Sequence, residues 1–298
     1  MSQFAHSEVD PSFPIEAVLQ WHRHDPEQRF GIRGGRFTRV NAFFSALVAA
    51  IVTGLLFGGL ILAPDDWVPW ADILLHRGPT QYATTYLAVW SLVLLFIKWR
   101  KLAFQRRALR YPVVPDEPDF VLSPLTVDTV MDHLYRVADE PRNFILYNRI
   151  LGALSNLRNL GQVGDVDRIL RSAAEQDEDA LETSYSLVQG FVWAIPVLGF
   201  IGTVLGLSQS IGSFSQVLAQ GGDMASLTNG LRQVTGGLGT AFDTTLLALV
   251  CALVIQLAIT VLKKSEYEFL EACSEYCSRH IVGRLRLLFD GISSDSHA

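Results

Sequence analysis

The sequence predicts an all-α integral membrane protein with four transmembrane helices and helical cytoplasmic segments. Of its 298 residues, 49% are hydrophobic and only 18% are charged, whereas an average soluble domain is about 25% charged. The apolar residues are concentrated in a few long uncharged runs, and about 18 or more such residues match the hydrocarbon core of a bilayer. Basic residues precede the first of these runs and follow the second and the fourth. A lipid bilayer is therefore the expected environment.

Composition and motifs argue against nucleic-acid binding, a metal site and catalysis. The net charge is −6 and no dense Lys/Arg face is present, so nucleic-acid binding is not indicated. The three cysteines form no paired framework and are expected to be free thiols. Cys273 and Cys277 lie one helical turn apart, but no further ligands accompany them, so no metal and no cofactor are expected. Because phosphate-binding glycine loops, nucleophile elbows and zinc motifs are missing from the sequence, we expect no enzymatic activity.

The first part of the chain predicts a cytoplasmic segment followed by a membrane hairpin. Residues 1–40 are polar, are interrupted by prolines and lack the build of a cleaved signal peptide. Residues 41–99 should form the hairpin. Its first span is the uncharged run from Ala42 to Ala63, which Pro64 ends, and its second span runs from about Gly78 to Ile97.

The central segment, residues 100–183, is predicted to be cytoplasmic and helical. It opens with several prolines, after which leucines recur at helical spacing, at Leu151, Leu154, Leu157 and Leu160. The stretch from Gly161 to Gly164 predicts a break before a further helix from Asp165 to Asp179.

Residues 184–263 are predicted to form the third and fourth spans. The third uncharged run, from Thr183 to Gly222, is forty residues long and exceeds one bilayer crossing by about 30 Å at 1.5 Å per residue. This helix must therefore project beyond the membrane. A turn is expected around residues 221–223, and the fourth span runs from Thr244 to Leu262.

The last segment, residues 264–298, predicts a cytoplasmic amphipathic tail helix. Its less polar positions recur every three or four residues, at Tyr267, Leu270, Ser274, Cys277, Ile281 and Leu288. This face suits packing against the central segment, and it equally suits bundling between subunits. The sequence favours neither.

The distribution of Lys and Arg predicts that both termini are cytoplasmic, because cytoplasmic loops carry an excess of these residues. Basic residues precede the first span, follow the second and follow the fourth: Arg33, Arg36, Arg39, Lys98, Arg100, Lys101, Arg106, Arg107, Arg110, Lys263 and Lys264. The two short outer connectors are poor in both residue types.

Spans three and four both carry faces of small and hydroxyl-bearing residues. Steps of three or four residues place one set on one face of span three, with Gly202 beside it: Gly199, Thr203, Gly206 and Ser210. A comparable set lies on span four: Thr240, Thr244, Ala248 and Cys251. Such faces allow close helix packing, and they equally suit a polar pathway for ions.

Asp243 is the ionisable residue beside this face of span four. An acid within a span usually faces water or a bundle interior. At the outer end of the span, the same acid would only order a helix terminus. Both interpretations of Asp243 are kept.

Helix geometry predicts that Thr203 and Thr244 share one layer. Thr203 lies twenty residues after Thr183, and Thr244 lies nineteen residues before Lys263. In antiparallel helices both hydroxyls would lie about 28 to 30 Å from the cytoplasmic markers. Hydroxyls can hydrate an ion or relay a proton through water, although threonine can also bond its own helix backbone.

Two stretches together resemble the MotA/TolQ/ExbB proton channel family. They are IPVLGFIGTVLGL at residues 195–207 and GTAFDTT at residues 239–245. The resemblance covers about Ser184 to Leu262, and two spans before the central segment are more similar to MotA than to TolQ or ExbB.

The resemblance implies a homopentameric ring in a bacterial inner membrane, with spans three and four lining a central pore. It places Thr203 and Thr240 at the family's pore threonines and Pro196 near the start of the pore helix. It also implies a single-span partner of the MotB/ExbD/TolR kind, whose aspartate enters the pore, and transport of protons or sodium ions.

We therefore predict an ion-channel subunit of a stator-like motor complex, which couples the ion gradient to mechanical work by its partner. The alternative is a non-conducting membrane scaffold that docks a partner through its cytoplasmic segment. The predicted ion pathway consists of Thr203, Thr240, Thr244 and Asp243. The residues predicted to pack the helices around it are Pro196, Gly199, Gly202, Gly206, Ser210 and Ala248.

Overall fold

The computed structural model is built mainly from α-helices. It describes residues 19–25, 27–28, 31, 34–62, 74–75, 78–111, 113–114, 122, 126–160, 163–219 and 224–285. The helices are α1 (Trp21–His24), α2 (Ala42–Leu62), α3 (Pro79–Ala108), α4 (Val127–Val137), α5 (Ile145–Leu160), α6 (Val163–Ala219) and α7 (Met224–His280). Two 3₁₀ turns occupy Pro141–Asn143 and Val282–Arg284. Within the described residues, β-pairing is limited to isolated bridges, so the predicted all-α class is confirmed.

The chain divides into two compact units. Unit 1 comprises Met1–Thr38, Lys101–Ala180 and Glu266–Ala298, and unit 2 comprises Arg39–Arg100 and Leu181–Ser265. The helices α3, α6 and α7 each contribute residues to both units.

Among the described residues, three helices are long and apolar enough to cross a membrane: α2, α6 and α7. In unit 2 these helices leave large apolar side chains uncovered. Leu62 is 86% exposed, Trp193 73% and Val261 70%. Exposed apolar surface on this scale marks contact with lipid or with another protein. The chain is a multi-pass membrane protein.

Helix α3, which contains the second predicted span, is less apolar than these three helices. It is 30 residues long, but its first two turns bury a polar row consisting of Thr80, Gln81, Thr84 and Thr85. Polar side chains lower the hydropathy of this part of α3, and their burial shows that they face protein rather than lipid. A fourth span therefore remains a prediction.

Aromatic and polar contacts join α3 to α2 and α6 within unit 2. The Trp90 indole donates a hydrogen bond to the Ser45 hydroxyl at 3.0 Å. The centres of the Trp90 and Phe191 rings lie 4.6 Å apart. Lys98 is almost fully buried. Its ammonium donates to the Ser184 hydroxyl at 2.9 Å and lies 4.3 Å from the centre of the Tyr185 ring.

The two longest helices extend well past a bilayer thickness. Helices α6 and α7 have 57 residues each, which corresponds to about 85 Å at 1.5 Å per residue. The helix predicted from Asp165 to Asp179 is continuous with the third span, and the predicted tail helix is continuous with the fourth. Residues 220–223, where a turn was predicted, lie outside the described residues.

Unit 1 has its own apolar core around α5. Leu151, Leu154 and Leu157 are buried as their spacing predicts. The tail part of α7 contributes to this core through Leu270, Cys277 and Ile281. The Tyr276 hydroxyl also accepts a hydrogen bond from the Val113 amide at 3.0 Å. Of the two interpretations of the tail, the structure favours packing against the central segment.

A buried ionic cluster lies in the same unit. The Lys101 ammonium is 2.5 Å from Glu27 and 3.4 Å from Asp25, and all three side chains are at most 1% exposed. Burial raises the pKa of the Asp25 carboxyl, and the Lys101 charge acts in the opposite direction. Removing the Lys101 charge would leave the buried Asp25 and Glu27 carboxylates without this positive charge. Loss of one partner from a buried ion pair is strongly destabilising.

Candidate ion pathway

The small-residue face of α6 packs directly against α7 within unit 2. A Cβ atom added at Gly199 would lie 2.5 Å from the Ala248 Cβ atom, and one at Gly202 would lie 2.7 Å from the Thr244 hydroxyl. At Gly206 it would lie 2.9 Å from the Gly237 carbonyl oxygen. Only glycine allows the two helices to approach this closely, since any Cβ would overlap the facing helix.

The same interface continues for one further turn along α6. Ser210 is buried, and a Cβ atom at Gly237 would collide with its side chain. The Ser210 hydroxyl donates to the Gly206 carbonyl at 2.9 Å, which fixes its rotamer. Pro196 lies inside α6, one turn before this interface begins, and the helix continues through it.

Thr203 and Thr245 form a hydroxyl pair at the α6–α7 contact. Their side-chain oxygens are hydrogen-bonded to each other. Both oxygens also lie near the Ala241 carbonyl, at 3.1 Å from Thr203 and 3.3 Å from Thr245. The Gly199 carbonyl lies 3.3 Å and 3.2 Å from the same two oxygens. Two hydroxyls and two carbonyls therefore converge where the two helices are in close contact.

Thr244, the residue predicted to share this layer with Thr203, faces a different neighbour. Its hydroxyl donates to the Ala241 carbonyl of its own helix at 2.9 Å. The side chain is 2% exposed and lies against Gly202. Thr244 and Thr245 differ by only 1.5 Å in position along the helix axis but by about 100° in the direction of their side chains. The sequence argument used only the position along the axis. The partner of Thr203 in the hydroxyl pair, Thr245, was therefore missed.

The remaining predicted pathway residues, Thr240 and Asp243, are both partly exposed on α7. The Thr240 hydroxyl donates to the Gly236 carbonyl of its own helix at 3.2 Å. Thr240 lies five residues before Thr245, so its side chain points away from the Thr203–Thr245 pair by helical geometry.

Helix α3 brings further polar groups to this region of unit 2. The Thr80 hydroxyl would lie 2.9 Å from a Cβ atom at Gly202, beside the Thr244 hydroxyl. Gln81 and Thr85 are also buried, and their polar side-chain atoms have no hydrogen-bond partner among the described residues. Sequence reasoning treated this helix only as a span. The threonine and glutamine residues at its start were the signal that it also brings polar groups into the protein interior.

Neutral hydroxyl and carbonyl oxygens of this kind can coordinate a cation or relay a proton through water. They carry no charge themselves, so the protein avoids the free-energy cost of a buried ion. The Thr203–Thr245 pair and its two carbonyls include no acid. A proton acceptor for this cluster must therefore come from another residue or from a partner.

The region that contains this geometry is similar to a known protein family. Residues 139–274 match the family model described as the MotA/TolQ/ExbB proton channel family. No curated protein and no solved structure matches the chain. The matched region contains the α6–α7 glycine contacts and the Thr203–Thr245 pair. Over residues 139–274, the chain is thus similar to the MotA/TolQ/ExbB proton channel family.

Proposed function

We propose that the protein is the ion-channel subunit of a stator-like energy-converting complex. In this role, protons flow down their gradient past the paired α6 and α7 helices and drive mechanical movement of a partner. The observation that carries the proposal is the hydrogen-bonded Thr203–Thr245 pair, which lies within the family-matched region. The proposed role is transport and involves no catalysis.

The proposed partner is a MotB/ExbD/TolR-like protein with one span and an aspartate inside it. The hydroxyl pair lacks an acid, and a partner carboxylate would supply the group that takes up and releases the proton. Asp243 is the alternative source within this chain, because it lies two residues before Thr245 on the same helix.

The scaffold alternative is supported by one specific observation. The glycines of α6 are already occupied by α7 of the same chain, so the small-residue face by itself is explained by helix packing. Packing does not require hydroxyls at Thr203 and Thr245, and these two residues therefore distinguish the two functions. Flux measurements on hydroxyl-deleted variants decide between them.

We predict a topology of four spans with both termini in the cytoplasm. Single cysteines replacing Asp72 and Asp223, in a background without native cysteines, should react with an impermeant maleimide added to intact spheroplasts. A cysteine replacing Asp119 should react only after the membrane is permeabilised. These three positions lie outside the described residues, and the prediction rests on the basic flanks of the spans. Labelling of position 119 in intact spheroplasts would reverse the proposed orientation.

We predict that the protein assembles as a homopentameric ring around the partner's span. One copy cannot surround a pore, and closed rings are the usual result when identical subunits meet head to tail. Gentle detergent extraction followed by intact-complex mass analysis should yield five copies of this chain with a smaller single-span protein. A monomer that retains ion flux after reconstitution would contradict the ring.

A further inference from the structure

Unit 1 contains a cavity with an unusually cationic wall. Its volume is about 360 Å³, within the range of small-ligand sites. The polar wall is formed by Arg36, Arg142, Arg149 and Asn148. Apolar side chains also line the cavity, among them Leu151 of α5 and Ile169 of α6.

The positive charge at this cavity is only partly compensated. The Arg149 guanidinium is buried, lies 2.6 Å from the Asp177 carboxylate and donates to the Ser274 hydroxyl at 2.9 Å. Within the described part of the chain, the Arg36 guanidinium donates to neutral acceptors, the Arg142 carbonyl at 3.2 Å and the Asn148 side-chain oxygen at 2.7 Å. Among the described residues, these three guanidinium groups therefore share one paired carboxylate.

Two guanidinium groups keep unused donors. Among the described residues, no hydrogen bond or ion pair involves the Arg142 side chain. The Nη2 atom of Arg149 is buried and has no hydrogen-bond partner in the described part of the chain. A buried donor without a partner costs free energy, and like charges gathered at one cavity repel each other. An anion in the cavity would relieve both penalties.

The positions of two of these groups are fixed before any ligand binds. Arg36 is held by the Arg142 carbonyl and Asn148, and Arg149 is held by Asp177 and Ser274. A group that is already oriented loses less conformational entropy on binding. Two of the three guanidinium groups are therefore oriented before an anion binds.

We propose that this cavity binds a phosphate monoester, with the phosphate against the arginines and the organic part against Leu151 and Ile169. Three guanidinium charges and one carboxylate leave two positive charges, which match a dianion. A phosphate monoester carries a charge of about −1.5 to −2 and three acceptor oxygens, and guanidinium forks bind phosphate in a bidentate manner. A soluble phosphorylated metabolite and a lipid headgroup both carry this group.

The test is a titration of the full chain, in lipid-depleted detergent and phosphate-free buffer, with phenyl phosphate. We expect saturable binding to one site, competition by inorganic phosphate and clearly weaker binding of benzoate, which has the same ring but a single charge. Arg142→Gln should weaken binding about tenfold or more, because it deletes a charge-assisted contact. This side chain is exposed, so the fold should survive the substitution.

Arg279→Gln is the matched control, because Arg279 is an exposed arginine on α7 that is paired with Glu275 and does not line the cavity. It should bind phenyl phosphate like the unmodified chain. The proposal is wrong if the unmodified chain shows no saturable binding, if Arg142→Gln and Arg279→Gln bind equally, or if benzoate binds as tightly as phenyl phosphate.

A second measurement identifies the source of the phosphate. The protein is reconstituted in nanodiscs of phosphatidylcholine with or without phosphatidic acid, and phenyl phosphate is titrated again. If phosphatidic acid lowers the apparent affinity for phenyl phosphate in the unmodified chain but not in the Arg142→Gln variant, the site binds a lipid headgroup. An unchanged affinity assigns it to a soluble phosphate monoester.

Discussion

Replacing Thr203 or Thr245 by valine should lower partner-dependent ion flux about tenfold or more, while the protein continues to assemble. Valine keeps the approximate volume but deletes the hydroxyl, so the Thr203–Thr245 hydrogen bond is lost and one hydroxyl no longer lies beside the Gly199 and Ala241 carbonyls. The loss of one such interaction in the rate-limiting passage corresponds to about 1.4 kcal/mol, which is a factor of ten in rate. The measurement is proton flux into liposomes that contain the purified complex, normalised to the amount of assembled protein.

Thr244→Val is the most informative comparison, because it makes the same chemical change at the adjacent residue. The Thr244 hydroxyl bonds the Ala241 carbonyl of its own helix, so we expect a smaller loss of flux than at Thr203 or Thr245. Leu205→Val, on an exposed apolar face of α6, should leave flux unchanged. If Thr203→Val and Thr245→Val both conduct normally at normal expression, the pair belongs to helix packing and the scaffold function is favoured.

The double variant tests whether the two hydroxyls act as one unit. Residues that share an interaction give non-additive effects. The flux of the Thr203→Val/Thr245→Val variant should therefore be close to that of the more impaired single variant. A loss equal to the product of the two single losses would show that the hydroxyls act independently.

The helices and their small-residue faces could be predicted from the sequence because both depend on short-range patterns. An uncharged run long enough to span a bilayer specifies a helix, as in α2, and a spacing of three or four residues specifies a face, as at Gly199 and Gly206. The close approach of α6 and α7 follows from these two properties. Counting residues along the two helices also predicted that Thr203 lies level with the start of the fourth span, where it contacts Thr245.

Features that depend on helix rotation or on distant residues could not be predicted in the same way. Rotation of α7 decides that Thr245 and not Thr244 bonds Thr203, and no local pattern encodes it. The arginine cavity combines Arg36, which the sequence analysis assigned to topology alone, with Arg142 and Arg149 from a distant part of the chain. The burial of Gln81 could not be predicted either, because its position in the sequence does not show whether it faces protein or solvent.

Gly199→Ala should destabilise the protein by about 1 to 3 kcal/mol, and it should also lower ion flux. The added Cβ would lie 2.5 Å from the Ala248 Cβ atom and 3.3 Å from backbone atoms of Thr244 and Thr245. None of these atoms can rotate away, so α7 must move, and this displaces Thr245 from Thr203. The free energy of unfolding can be measured by titration of the detergent-solubilised protein with dodecyl sulfate.

Two glycines on the same helix provide matched controls. Nothing lies within 4 Å of a Cβ atom added at Gly190 or Gly212. Alanine has the higher helix propensity, so both substitutions should leave stability unchanged or raise it by up to about 1 kcal/mol. A general effect of alanine in this helix would appear at all three positions, whereas a collision with α7 appears only at Gly199.

The reciprocal substitution should then reverse the effect at Gly199. Ala248→Gly removes the methyl group that the new Cβ would strike, so the double variant Gly199→Ala/Ala248→Gly should recover most of the lost stability. The remaining contacts of 3.3 Å with the α7 backbone are tight but can relax by a few tenths of an ångström, which limits the recovery. Flux should return together with stability, because both depend on the same helix separation. If Ala248→Gly gives no rescue, the contact between Gly199 and Ala248 does not set that separation, and the proposed link between helix packing and the hydroxyl pair is wrong.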